Sequence, residues 1–113
     1  MQVTTKRVKS VRVLYLSGHF DESAHVQFAL AIFEAELNGC KRIVLNLTKL
    51  LSIDKAGVEE VLMAYDHLQK KGIRLNLVNP RVDVLSVLTT VSLPSRLEIF
   101  KCEEEILGTF ANT

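Results

Sequence analysis

Chemistry near neutral pH needs a base beside a nucleophile, or a cluster of metal ligands, and this sequence is sparing with both. Its bases in that range are His19, His25 and His67, and its thiols are Cys40 and Cys102. Nucleophilic catalysis would set one of these histidines within hydrogen-bond reach of a serine or cysteine. No GxSxG turn marks such a nucleophile, so the histidines read as surface or strand-end residues. They are not spaced four apart, and neither cysteine has a third ligand nearby, so no metal site is expected. Gly39-Cys40-Lys41 lacks the upstream glycine of a phosphate-cradling loop and leads into a strand pattern where a helix would be needed. The chain is therefore expected to be no enzyme and to carry no cofactor.

Three other segments invite attention. In Gly18-His19-Phe20-Asp21 the glycine releases the chain from a strand, and Asp21 lies beside the next helix start, where its plain role is an N-cap. Ser52-Ile53-Asp54-Lys55-Ala56-Gly57 feeds a helix N-terminus, where unpaired amides and the helix dipole favour an anion; Asp54 can equally cap that helix. In residues 80–91, Val82, Val84, Leu85, Val87, Leu88 and Val91 cover more of a helix than one buried stripe needs. They form either a broad core face or a face for a partner.

The elements that must hold these segments follow from hydrophobic periodicity. Val11, Val13 and Tyr15 alternate with Arg12, Leu14 and Leu16, a strand that ends at Gly18. Residues 1–8 form a weaker strand pairing antiparallel with it through a turn at Lys9-Ser10. Asp21 or Ser23 caps a helix with Phe28, Ala31, Ile32 and Ala35 on one face and a second apolar series, Val26, Leu30, Phe33 and Leu37, elsewhere. Asn38-Gly39 stops it. The run Arg42-Ile43-Val44-Leu45-Asn46-Leu47 is a strand buried on both faces, followed by a connector over residues 48–53. A helix from Asp54 presents Val58, Val61, Leu62, Tyr65 and Leu68 and closes at Gly72. A strand over 73–78, a helix over 82–91, a short strand at Ile99-Phe100 and a helix over 103–110 complete the order β-β-α-β-α-β-α-β-α. Strands alternating with helices imply parallel crossovers.

Composition narrows the classes of function. The chain has 113 residues, 48% hydrophobic and 24% charged, the balance of a globular domain, and a net charge of +1. Basic residues are scattered, so nucleic acid is not an expected partner. No apolar run is long enough to span a membrane or serve as an export signal. Two cysteines without a disulfide spacing fit reduced thiols, and the expected location is the cytoplasm.

The element order and the motifs together resemble the STAS domain family, typified by bacterial anti-sigma-factor antagonists. The resemblance runs from about Val11 to Leu107. It is carried by Leu16-Ser17-Gly18-His19-Phe20-Asp21, Ile43-Val44-Leu45-Asn46-Leu47, Ile53-Asp54-Lys55-Ala56-Gly57, and the strand from Gly72-Ile73 to Asn79-Pro80. It implies that the second position after the loop aspartate is the serine or threonine that a partner kinase modifies. Here that slot is Ala56, which has no hydroxyl, and Lys55 stands where the family usually carries a small polar residue. Ser52 and Thr48 are the nearby substitutes.

The resulting expectation is an α/β fold, a single STAS-like domain over residues 1–113. It has a mixed four- to five-stranded sheet with helices packed mainly on one side. The resemblance implies a non-enzymatic adaptor that binds an anti-sigma factor or kinase-like regulator through Asp21, Asp54, Lys55, Ala56, Gly57 and Glu60. The alternative is an accessory subunit of a stressosome or lipid-transport complex. Self-association as a homodimer stays open.

Overall fold

Apolar alternation builds the first hairpin. β1 (Gln2–Val8) and β2 (Val11–Phe20) pair antiparallel across a turn at Lys9 and Ser10, and Lys9 takes a positive φ of 55° to close it. Successive β2 side chains point to opposite faces: Leu14 and Leu16 enter one core, Val11, Val13 and Tyr15 another. β3 (Arg42–Ile53), β4 (Arg74–Val78) and β5 (Ile99–Phe100) add in parallel. The result is one five-stranded mixed sheet in the order β1-β2-β3-β4-β5. The computed structural model describes residues 1–110, so residues 111–113 of the expected domain lie outside it.

Both faces of the sheet are apolar at its centre, and helices cover them unequally. α1 (His25–Leu37), α2 (Lys55–Lys70) and α3 (Val82–Leu88) lay Phe28, Ile32, Val58, Val61, Leu68, Val84 and Leu88 against Leu14, Ile43, Leu45, Leu75 and Leu77. Each such fully buried side chain contributes about 1.5–3 kcal/mol relative to exposure. α4 (Glu103–Phe110) takes the other face, where Ile106 packs on Val11, Val13, Val44 and Val78. The expected arrangement, helices mainly on one side of a mixed sheet, is thus the one observed, with five strands.

Four local expectations need correction. β2 does not end at Gly18 but continues to Phe20, with Gly18 at φ 92° inside the strand. Residues 48–53 are not a connector; they are the second half of β3. Two register shifts, between Tyr15 and Ser17 and between Gly18 and His19, let β3 advance one residue more than β2 each time. Burial there consequently recurs every third residue, at Leu47, Leu50 and Ile53, a pattern that resembles neither a strand nor a helix. Asp21 caps a 3-10 turn (Glu22–Ala24) that precedes α1, and α1 itself starts without a side-chain cap. α3 stops at Leu88 instead of Val91, because Thr89 and Thr90 turn their hydroxyls back onto the Leu85 and Val87 carbonyls.

α4 is tied to the sheet by polar as well as apolar contacts. The Glu103 carboxylate accepts a 2.8 Å bond from Asn46 Nδ2 and a bond from the Tyr15 hydroxyl. Burial, and then the hydrogen bond and charge of Glu103, push Tyr15 from 10.0 up to about 12. The fold therefore favours the neutral phenol. Its contribution is complete below the unfolded value and is lost as pH rises from 10.0 to about 12, because the unfolded chain releases that proton first. Denaturant melts across that range should show the Tyr15→Phe variant losing less stability with rising pH than the wild type. Parallel pH slopes for the two proteins would contradict the Tyr15–Glu103 link.

Candidate functional site

The two segments carrying Asp21 and Asp54 meet because β2 and β3 run side by side to their ends, Phe20 opposite Ile53. Both aspartates therefore leave adjacent strands at the same end of the sheet. Each turns back on its own downstream backbone. Asp21 Oδ1 accepts from the Ser23 amide at 2.9 Å and from the Ser23 hydroxyl, and that hydroxyl, followed by the amide, holds the Asp21 carboxyl below its usual range. Asp54 has extended backbone, and its Oδ1 accepts from the Gly57 amide at 2.9 Å, an N-cap that occupies one of the free donors of α2.

Gly57 fixes the height at which α2 starts. It is buried, and a Cβ at this position would stand 2.5 Å from the Phe20 carbonyl oxygen and 2.6 Å from Ile53 Cγ1. Only a residue without a side chain lets the first turn of α2 rest directly on the ends of β2 and β3. The Asp54 amide adds a 3.2 Å bond to the same Phe20 oxygen. On this seat Asp54 and Lys55 are exposed and Ala56 is half-buried.

The remaining expected residues flank this point. Ser52 is exposed, its Oγ 2.7 Å from His19 Nδ1 across the β2–β3 pairing. A serine beside a histidine is the start of a nucleophile pair, but both side chains stand in solvent, so nothing excludes water from them. Thr48 is exposed further back on β3, and its Oγ1 accepts from Asn79 Nδ2 at 3.2 Å. Glu60, one turn along α2, turns its carboxylate to α1, where Oε1 lies 2.5 Å from His25 Nδ1. Asp21, Asp54, Lys55, Ala56 and Gly57 thus gather at one end of the sheet, while Glu60 is engaged between the helices and Thr48 stands apart.

Sequence reading missed the couplings between α1 and α2. Besides His25 and Glu60, His67 Nε2 lies 2.5 Å from Glu36 Oε1, a close contact without good hydrogen-bond alignment. The two pairs bracket a groove of about 380 Å³ floored by Phe28 and Ile32 and rimmed by Phe33 and Met63. Partners 35 and 31 residues apart leave no local signal. A larger groove of about 530 Å³ opens on the other face of the sheet beside Tyr15, Asn46 and Lys49; it is away from the α2 start and brings no nucleophile and base together. Among the described residues no three of His, Cys, Asp and Glu stand close enough to hold a metal ion, and no helix is long and apolar enough to cross a membrane.

A STAS domain family model matches residues 2–106, nearly the whole chain. The chain belongs to the STAS domain family. No curated relative matches it by sequence. Among solved structures it is similar to the anti-sigma factor antagonist SpoIIAA in its unphosphorylated form, with 24% identity over 99% of this chain and 98% of that one and a TM-score of 0.83. It is also similar to a putative anti-sigma factor antagonist from Thermotoga maritima, 21% identical over 94% of this chain and 92% of that one, TM-score 0.84. An anti-sigma factor antagonist from Mycobacterium paratuberculosis is 15% identical over 95% and 91%, TM-score 0.83. These similarities place the STAS fold on the whole described chain.

Seating α2 through Gly57 makes a definite demand on that residue. Gly57→Ala should cost about 1–3 kcal/mol, the usual penalty when an added group meets an unyielding backbone. Urea denaturation of both proteins measures it, and an unchanged midpoint would show that the α2 start can move away from Phe20 freely.

Proposed function

We propose that this STAS domain is a regulatory adaptor that binds a kinase-like anti-sigma factor in the cytoplasm. The docking surface is the loop from Asp54 to Gly57 and the first turns of α2, with Asp21 and Glu60 beside it, and the chain transfers no group itself. One observation carries this reading: Gly57 seats the α2 start on Phe20, so Ala56 is presented at a fixed place where family members carry a modifiable hydroxyl. The loop is preorganised by the Asp54 cap, which lowers the ordering cost of association.

Alanine at this slot cannot take up the roughly −2 charge of a phosphate, so the domain stays in the form that docks. Lys55 supplies the exposed cation next to it, and the carboxylates of Asp21 and Asp54 define the acidic side. Ser52 is the substitute for modification, placed one strand residue before the loop and exposed, with His19 against its hydroxyl. A scaffold role in a stressosome or lipid-transport complex would use the same unmodified loop, and the partner recovered after gentle lysis separates the two readings.

Ala56→Glu tests the docking surface without touching the core. The new carboxylate would stand near Asp21 and Asp54, with the α2 dipole offsetting part of the repulsion. Binding to a kinase-like anti-sigma factor should weaken by about 1–3 kcal/mol, the scale of a charge mismatch in a partly desolvated interface. Calorimetric titration reads the affinity and thermal melts control for folding. Equal affinity at equal stability would remove this loop from the interface.

A further inference from the structure

α1 keeps a second apolar face that no part of the described chain covers. Val26, Leu30, Phe33 and Leu37 are 65%, 54%, 53% and 70% exposed, and Met63 of α2 beside them is 62% exposed. The core contacts of α1 run through Phe28, Ile32 and Ala35, and the fold leaves more than half of each of these four residues in water. Their spacing of four, three and four residues is the seam of a helix that pairs with another helix by interdigitation. Together the five side chains leave on the order of 500 Å² of apolar surface in water, near the largest patch a monomer ordinarily shows.

We infer that this face pairs with the same face of a second copy of the chain, α1 against α1 in antiparallel sense about a two-fold axis. Antiparallel pairing sets Val26 of one copy over Leu37 of the other and Leu30 over Phe33, a smaller residue against a larger one in each layer. The charges are self-complementary in the same sense. α1 carries no lysine or arginine, and its acidic residues Glu34 and Glu36 both lie in the C-terminal half. Glu36 is occupied by His67. Antiparallel pairing puts Glu34 beside Gln27 of the other copy, toward the positive end of that helix. The patch of about 500 Å² per copy, roughly 1,000 Å² in total, sets a dimer at the small end of specific interfaces and a concentration-dependent equilibrium. This inference does not rest on the Asp54 loop and can fail or hold without it.

Sedimentation velocity on the full chain, from low micromolar to submillimolar concentration, reads the outcome. The mass should rise from 12.7 kDa toward twice that value. Leu30→Glu, at an exposed position, should raise the dimer dissociation constant at least about tenfold while leaving the thermal melt unchanged at low concentration, where both proteins are monomers. Phe33→Gln gives the same readout without adding charge and decides the matter if Leu30→Glu melts early. A monomer at every concentration overturns the inference, as does a dimer that both variants leave intact. A monomeric chain whose affinity for a kinase-like protein falls in both variants would also overturn it, by giving this face to a different occupant.

Discussion

The end of the sheet that carries the candidate site depends on a residue with no side chain. Gly57 lies so near the Phe20 carbonyl and Ile53 that any Cβ would overlap them. The start of α2 is thereby clamped to the ends of two strands at once. β2 and β3 must in turn run as far as Phe20 and Ile53 to provide the seat, and the two extra residues of β3 bring those ends level. A shorter β3 would leave α2 starting on a flexible loop. The long strand makes the loop a rigid projection of the sheet.

Rigidity serves recognition and chemistry alike, so what the free groups at this end of the sheet can do decides between them. The carboxylates at this end of the sheet are spent on backbone amides, Asp21 on its 3-10 turn and Asp54 on α2. The Ser52 and His19 pair stands in open solvent. What remains available is shape, one lysine, the half-buried Ala56 methyl and the amides of a helix N-terminus. Those are the means of docking that the proposed function would use. Under the proposed function, the absent hydroxyl at position 56 leaves the docking form as the resting one.

Legibility followed periodicity. The hairpin and the α2 face from Val58 to Leu68 were readable because each repeats with period two or 3.6, and the doubly buried run around Val44 because it is short and almost continuously apolar. The second half of β3 was not, since its bulges replace alternation with a three-residue repeat at Leu47, Leu50 and Ile53. Gly18 looked like a terminator because glycine usually marks a strand's end, yet here its positive φ is accommodated within β2, where the register against β3 shifts. The exposed series on α1 was visible as excess apolarity, but only packing shows which of its two faces the core uses. Buried polar residues such as Arg42, bonded to Asn76 inside the sheet, also carry no local signature.

The central claim is that the partner meets the clamped end of α2. Amide chemical-shift mapping of the labelled full chain, titrated with a kinase-like anti-sigma factor, tests it most directly. The account predicts that the largest shifts cluster at Asp21 and from Asp54 to Glu60, with α4 and the groove beside Tyr15 and Lys49 unmoved. Shifts concentrated on α4 or in that groove, with the Asp54 loop silent, would contradict it.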